Sequence, residues 1–353
     1  MSYTASMVPV LSPVGLWSLV EALVLPLDRA RTALLGAFSR VVRPFVRSRS
    51  LRVTVAASAM VLTALLGASW FPLWMLLLGP LVWGVPHILS DLRYLVLRPG
   101  LHRRPWLWVA LGAPLAWAAA GGGAGAGLLA TVGALSVARG DRARRAAAAA
   151  VALGLAALAF RVGRVADVVF AHAHHFVTVA LWWRWRARED RWQAVPLGLF
   201  ALATVGVLAL GVPGFTGAFA GAEPTDGALR ATLAGLCPGV PEALAVRLLV
   251  LFAFAQAVHY GVWLRLVPED DRPRDTPRTF RQSARALVSD CGPWVVAGAA
   301  MLALGVGAYA LMDATAARVA YGRVSFFHGY LELAAAALLW AEDQRTATQR
   351  AFG

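Results

Sequence analysis

The chain contains no lysine and only two cysteines among its 353 residues. Cys237 and Cys291 offer no CxxC pair and no zinc-ribbon spacing, so any metal held here needs nitrogen and oxygen ligands. Charged residues are also scarce, 15% against 59% hydrophobic. That balance, with a mean hydropathy of +0.63, excludes an ordinary soluble domain. Several runs of about 18 or more apolar residues indicate a polytopic membrane protein. Without lysine, the formal charge of +14 rests entirely on 33 arginines. The bias fits a GC-rich coding sequence. No nucleic-acid partner is expected, because the arginines lie in loops between hydrophobic spans, where they set topology. A cleavable signal peptide is not expected either, since no short basic region precedes an apolar core and a small-residue cleavage site.

Apolar windows bounded by Arg, Gly and Pro clusters predict an all-α, polytopic bundle of about ten transmembrane helices. They fall near 53–70, 73–97, 106–120, 124–138, 146–160, 163–184, 195–214, 243–264, 293–312 and 318–340. Several middle spans are short, which predicts burial among neighbours or a locally thin contact with lipid. Alternate loops hold 27 of the 33 arginines. By the positive-inside rule this places both termini in the cytoplasm of a bacterial-type inner membrane. Cys237 and Cys291 then lie on opposite sides and form no disulfide. Residues 1–52 read as a cytoplasmic or interfacial segment, in which Val14 to Leu27 is too short to span. Residues 53–341 form the transmembrane domain and 342–353 a cytoplasmic tail. The polar loop from Pro268 to Arg285 reads as solvated, without packed structure.

Six of the seven histidines sit inside the spans, and all six fall in the second, sixth, eighth and tenth. A charged or metal-binding side chain at bilayer depth costs on the order of 3 kcal/mol, so four helices accepting that cost point to one shared site. The second span reads WGVPHILSDLRYLVL, with His87 and Asp91 one turn apart on one face. The sixth reads RVADVVFAHAHHFVTVALWW. Its His172 and His175 share a face at a spacing of three and are the expected ligands, whereas His174 lies on the face of Asp167. In the eighth, FAQAVHYGVWLR places His259 beside Tyr260. In the tenth, RVSFFHGYLEL sets His328 and Glu332 one turn apart, with Gly329 allowing close approach of a neighbour. The expected metal ligands are therefore His87, His172, His175, His259 and His328. Asp91, Glu332 and Tyr260 are the expected catalytic groups, the carboxylates orienting ligand rings or balancing charge. Walls are expected from Trp83, Phe170, Phe176, Phe326, Phe327 and Tyr330. His102, in an arginine-rich loop, reads as solvated. The bland alternative is a set of interhelical hydrogen bonds worth roughly 0.6–2 kcal/mol each.

These motifs resemble the Brp/Blh family, bacterial membrane enzymes that cleave β-carotene to retinal with iron and dioxygen. VPHILSD, with His87 and Asp91, is similar to that family's proline-histidine motif with an aspartate one turn later. FFHGYLE resembles a related motif carrying Glu332 in place of Asp. The resemblance implies further ligands at His172 or His175 and at His259, and a carotenoid or other isoprenoid-like substrate. Residues 1–52 and the lack of a second histidine near His259 depart from the family pattern.

Imidazole plus carboxylate favours Fe²⁺, with zinc or manganese as alternatives, over copper(I). The leading expectation is a membrane-embedded, histidine-ligated non-haem iron oxygenase, using dioxygen on a lipid-soluble substrate. Two alternatives stand beside it. One is an ion- or proton-coupled transporter using the same His/Asp/Glu cluster. The other is a bis-histidine haem electron-transfer protein.

Overall fold

The computed structural model describes residues 13–185, 191–211, 226–271 and 276–342. The expected tail after Glu342 therefore lies outside the described residues, as do residues 1–12 and the middle of the polar loop, 272–275. Among the described residues all regular structure is helical. Among the described residues nine helical stretches are long and apolar enough to cross a membrane, Pro105–Ser136 counted as one of them. The chain is an all-α, multi-pass membrane protein.

The elements run α1 (Pro13–Ala37), α2 (Ser39–Arg47), α3 (Arg49–Trp70) and α4 (Pro72–Asp91). Next come α5 (Pro105–Trp117), α6 (Gly123–Ser136), α7 (Arg142–Val162) and α8 (Arg164–Trp185). Then follow α9 (Val195–Leu210), α10 (Asp226–Leu236), α11 (Glu242–Gly261) and α12 (Phe280–Cys291). The last three are α13 (Pro293–Met312), α14 (Ala314–Ser325) and α15 (Phe327–Ala341). Compact packing divides them into two units. The smaller is Met1–Arg49 with Arg274–Met301, and the larger is Ser50–Pro273 with Leu302–Gly353. The division expected at residue 52 thus falls slightly earlier, because α3 starts at Arg49, and the smaller unit gains a late segment of chain.

In the smaller unit α1 packs on α12. Asp28 accepts the backbone N–H groups of Phe280 and Arg281 at 2.7 and 3.0 Å, and Glu21 pairs with Arg281. Helix α12 corrects the expectation of an unpacked loop up to Arg285. Thr279 and Gln282 form a reciprocal capping box, and the Asp28 carboxylate adds negative charge at the helix N-terminus. The start of the same loop is anchored in the larger unit. Arg52 donates to Glu269 at 2.6 Å, Trp182 to Asp270 at 2.8 Å, and Arg98 to Asp271 at 2.7 Å.

The larger unit has two main hydrophobic cores and a small third cluster of Leu95, Trp263 and Ala335. One joins α3, α4, α8, α9 and α11; the other joins α5, α6 and α15. Helices α5 and α6 correspond to the third and fourth expected spans. Gly121 and Gly123 take φ values of 104° and 67° between them. The chain folds back there, because Gly133 lies against the Ala110 carbonyl and Arg104 donates to the Val137 carbonyl at 3.0 Å. Legs of 13 and 14 residues are about 20 Å long at ~1.5 Å per residue, short of a hydrocarbon core of roughly 30 Å. The expected burial of these short spans is seen in α6, whose Ala126, Ala130 and Ala134 are fully enclosed. Gly127 has no room for a side chain, since a Cβ there would sit 2.3 Å from the Tyr330 ring. Small residues let the backbones approach closely where lipid gives no hydrophobic drive between helices. The outward faces stay apolar, with Leu202 71% and Leu304 67% exposed. In water such a belt is a liability, and in lipid it is the solvated surface.

Candidate metal centre

Four helices of the larger unit, α4, α8, α11 and α15, bring their ionisable groups to one place between the two cores. Asp91 ends α4, and the chain continues as a π-helix over Leu92–Leu97. Likewise α11 passes into a π-helix over Val262–Leu266 just after Tyr260. Such wider turns frequently accompany functional sites. The two irregular stretches are tied together, Ser90 donating its hydroxyl proton to the Trp263 carbonyl at 2.6 Å.

Hydrogen bonds settle which ring nitrogens are free. His87 Nδ1 lies 3.1 Å from the Trp83 carbonyl, and His328 Nδ1 lies 2.5 Å from the Ser325 carbonyl. A carbonyl only accepts, so each Nδ1 carries the proton and each Nε2 presents a lone pair. Thr178 does the same for His259 by a relay. Its hydroxyl donates to Glu332 Oε2 at 2.5 Å, which leaves the oxygen to accept from His259 Nδ1 at 2.9 Å. The bare His259 Nε2 is buried without a hydrogen-bond partner among the described residues.

Ring nitrogens of the three histidines converge. Donor atoms of His87, His259 and His328 all lie within 4.8 Å of one another, and so do those of Asp91, His328 and Glu332. His87 Nε2 and His328 Nε2 are 3.3 Å apart. Two lone pairs at that distance repel unless a cation lies between them. Two nitrogens at about 2.1 Å from one ion and at a tetrahedral angle are about 3.4 Å apart, so the spacing fits a shared ion. Asp91 is wholly buried, and neither oxygen has a hydrogen-bond partner among the described residues. An isolated buried carboxylate is costly, and a neighbouring cation removes that cost. The Glu332 carboxylate is fixed by Thr178 and by Trp263 Nε1, which donates at 2.9 Å. Its Oε1 is 3.7 Å from His259 Nε2. The set therefore fits an N₃ metal site with Asp91 as carboxylate ligand or counter-charge and Glu332 as an anchored neighbour. It is an imidazole–carboxylate donor set of the kind that suits iron, zinc or manganese.

The structure places the other expected residues as follows. The Tyr260 ring lies 4.6 Å from the His87 ring. His175 sits at the edge of the cluster, 5.2 Å from His259 between ring centroids. His172, expected as a ligand paired with His175, shares the Phe252 face with it, the two rings lying 4.9 and 4.8 Å from the phenyl ring. Its Nδ1 donates to the Val168 carbonyl at 2.9 Å and its ring packs on Phe252, outside the convergence. The neighbour that approaches instead is His174, 5.2 Å from His259 and 5.4 Å from His328. Gly329 permits this approach, since a Cβ there would lie 3.2 Å from the His174 ring. Trp83 is 52% exposed and faces outward, away from any wall role in the cluster. Phe170 and Tyr330 stack at 3.8 Å and back His174.

Sequence reasoning missed Thr178 and Trp263, the two donors that hold Glu332. A signal existed for Thr178, a hydroxyl three residues after His175 in an otherwise apolar run. Beside the cluster lies a cavity of about 270 Å³, lined by His174, His175, His259, Tyr260 and His328 together with Arg318, Gln256 and apolar side chains. Comparison of the chain with protein-family models, with curated proteins and with solved structures finds no match.

Proposed function

We propose that this chain is a membrane-embedded, histidine-ligated non-haem iron oxygenase acting on a hydrophobic substrate. The observation that carries the reading is the convergence of ring nitrogens of His87, His259 and His328 beside a wholly buried Asp91 with no hydrogen-bond partner among the described residues. His87, His259 and His328 would hold the iron, which would supply the activation of dioxygen. The protein's own part is orientation. Trp83, Ser325 and Thr178 fix the three ring tautomers, and Thr178 and Trp263 hold Glu332 at the edge of the donor set. Phe170, Phe252 and Leu76 give the adjoining cavity apolar walls. Tyr260 lines that cavity beside His87, placed to contact a substrate.

The Brp/Blh resemblance of VPHILSD and FFHGYLE supports an isoprenoid-like lipid among the substrates to be tried, with cleavage of a carotenoid to an apocarotenoid as the first case. The arginine asymmetry supports a bacterial-type inner membrane with cytoplasmic termini. A bis-histidine haem fits less well, because His87 and His328 are in ring contact with no slot for a porphyrin between them. Nor do the buried groups line up from one face to the other, as a proton or ion path requires.

Elemental metal analysis of the detergent-purified protein, with an absorption spectrum of the same sample, tests the reading. Stoichiometric iron without a Soret band is expected, and His87→Ala should lose metal and activity together. A Soret band, or normal iron content in His87→Ala, contradicts the assignment. Absence of metal under conditions that retain weakly bound iron turns the cluster toward ion or proton transfer.

A further inference from the structure

The cavity beside the histidines has one charged wall. Arg318, on α14, lines it together with His259 and His328. Among the described residues no carboxylate offsets this guanidinium, which is half-buried. Other arginines near the apolar belt are satisfied: Arg247 donates to the Leu208 carbonyl at 2.8 Å, and Arg52 pairs with Glu269. A cation facing Leu76, Phe170 and Phe252 across a cavity carries a desolvation cost that an anionic ligand would offset.

Its placement is orderly. Arg318, Gly322, Ser325 and Gly329 all line the cavity, and their spacing puts them on one stripe along α14 and α15. The ten residues from Arg318 to His328 correspond to about 15 Å of helical rise. The guanidinium therefore stands at one end of the cavity and the imidazoles at the other. A second cavity, of about 570 Å³, is lined by Met60, Trp74, Met75 and Trp83 and shares Gln256 and Tyr260 with the first. Tyr260, beside His87, sits at the junction.

We propose that this site takes a long-chain lipid with an anionic head group, carboxylate or phosphate, which docks on Arg318 while the chain runs past the histidine cluster toward Tyr260. The planar guanidinium matches the paired oxygens of either head group, and the two apolar cavities accept the chain. The position brought to the histidines is then in the interior of the chain, remote from the head. What happens there rests on the oxygenase reading; the binding does not. A carotene hydrocarbon has no group for Arg318, so the substrate class differs from the one the sequence resemblance implies.

Calorimetric titration of the full-length protein in detergent with oleate, methyl oleate and a lysophosphatidate tests the anchor, with iron measured in the same samples. Oleate should bind at least about tenfold more tightly than methyl oleate, the scale of a charge-assisted hydrogen bond. Arg318→Leu should abolish that preference with iron content unchanged, and Arg318→Lys should keep part of it. Tighter binding of lysophosphatidate than of oleate assigns the head to phosphate, and the reverse assigns it to carboxylate. Equal binding of oleate and methyl oleate by the unmutated protein overturns the proposal, as does a preference that survives in Arg318→Leu. Protein that discriminates the head groups but holds no iron keeps the anchor and sinks the oxygenase reading. Iron-replete protein without discrimination sinks the anchor alone.

Discussion

Thr178→Val removes one hydroxyl and almost no volume, and that hydroxyl holds two members of the site at once. It donates to Glu332 Oε2 at 2.5 Å and accepts from His259 Nδ1 at 2.9 Å, with all three side chains buried. Valine leaves a carboxylate oxygen without that donor and an imidazole N–H without an acceptor. Each buried group left unpaired costs about 1–3 kcal/mol, so together they amount to roughly 2–6 kcal/mol if neither finds a substitute. The cheapest relief is for the His259 ring to turn or change tautomer, which removes its Nε2 lone pair from the cluster. Loss of a partner that orients a ligand typically lowers metal affinity about 10- to 100-fold. The expected outcome for Thr178→Val is a weakening of iron binding in that range, read by competition with a chelator of known affinity. Thr178→Ser retains the hydroxyl and should stay close to the parent. Parental affinity in Thr178→Val would refute the claim that the Thr178 relay sets the His259 tautomer.

Three further outcomes are expected. Asp91→Asn should lower metal affinity by tenfold or more with little loss of fold, because it removes a buried carboxylate that has no hydrogen-bond partner among the described residues; unchanged affinity would mean that Asp91 is a neutral acid in the packing. Gly127→Leu should destabilise the protein by more than the ~1–3 kcal/mol typical of overpacking, since even a Cβ meets the Tyr330 ring at 2.3 Å; a parental melting temperature in detergent would contradict that packing. Neither cysteine forms a disulfide among the described residues, and burial pushes the Cys237 thiol up from its ordinary range. Because the thiolate is the reactive form, alkylation of Cys237 should be slower than that of a free thiol at pH 8 and keep rising with pH beyond about 9. Equal rates for the two would count against a buried thiol.

The helical class, the multi-pass character and most span limits were legible in the residues, because a run of apolar side chains long enough to cross a bilayer has few other fates. The same logic singled out His87, Asp91, His259, His328 and Glu332, since ionisable groups at that depth require a reason. What lay beyond the sequence was relative rotation and approach of helices. The i, i+3 rule places His172 and His175 on one face of α8 but does not say which face meets α11 and α15. Packing brought His174 and His175 to about 5.2 Å from His259, with His172 and His175 both against Phe252. The reversal at Gly121–Gly123 and the capping of α12 by Asp28 depend on partners distant in the chain. So does the Thr178 relay, which joins α8, α11 and α15 through a single hydroxyl. Local composition decides which segments enter the membrane, because transfer into lipid is a property of each segment alone. Which side chains then meet there is decided by packing between segments, and only the tertiary structure holds that information.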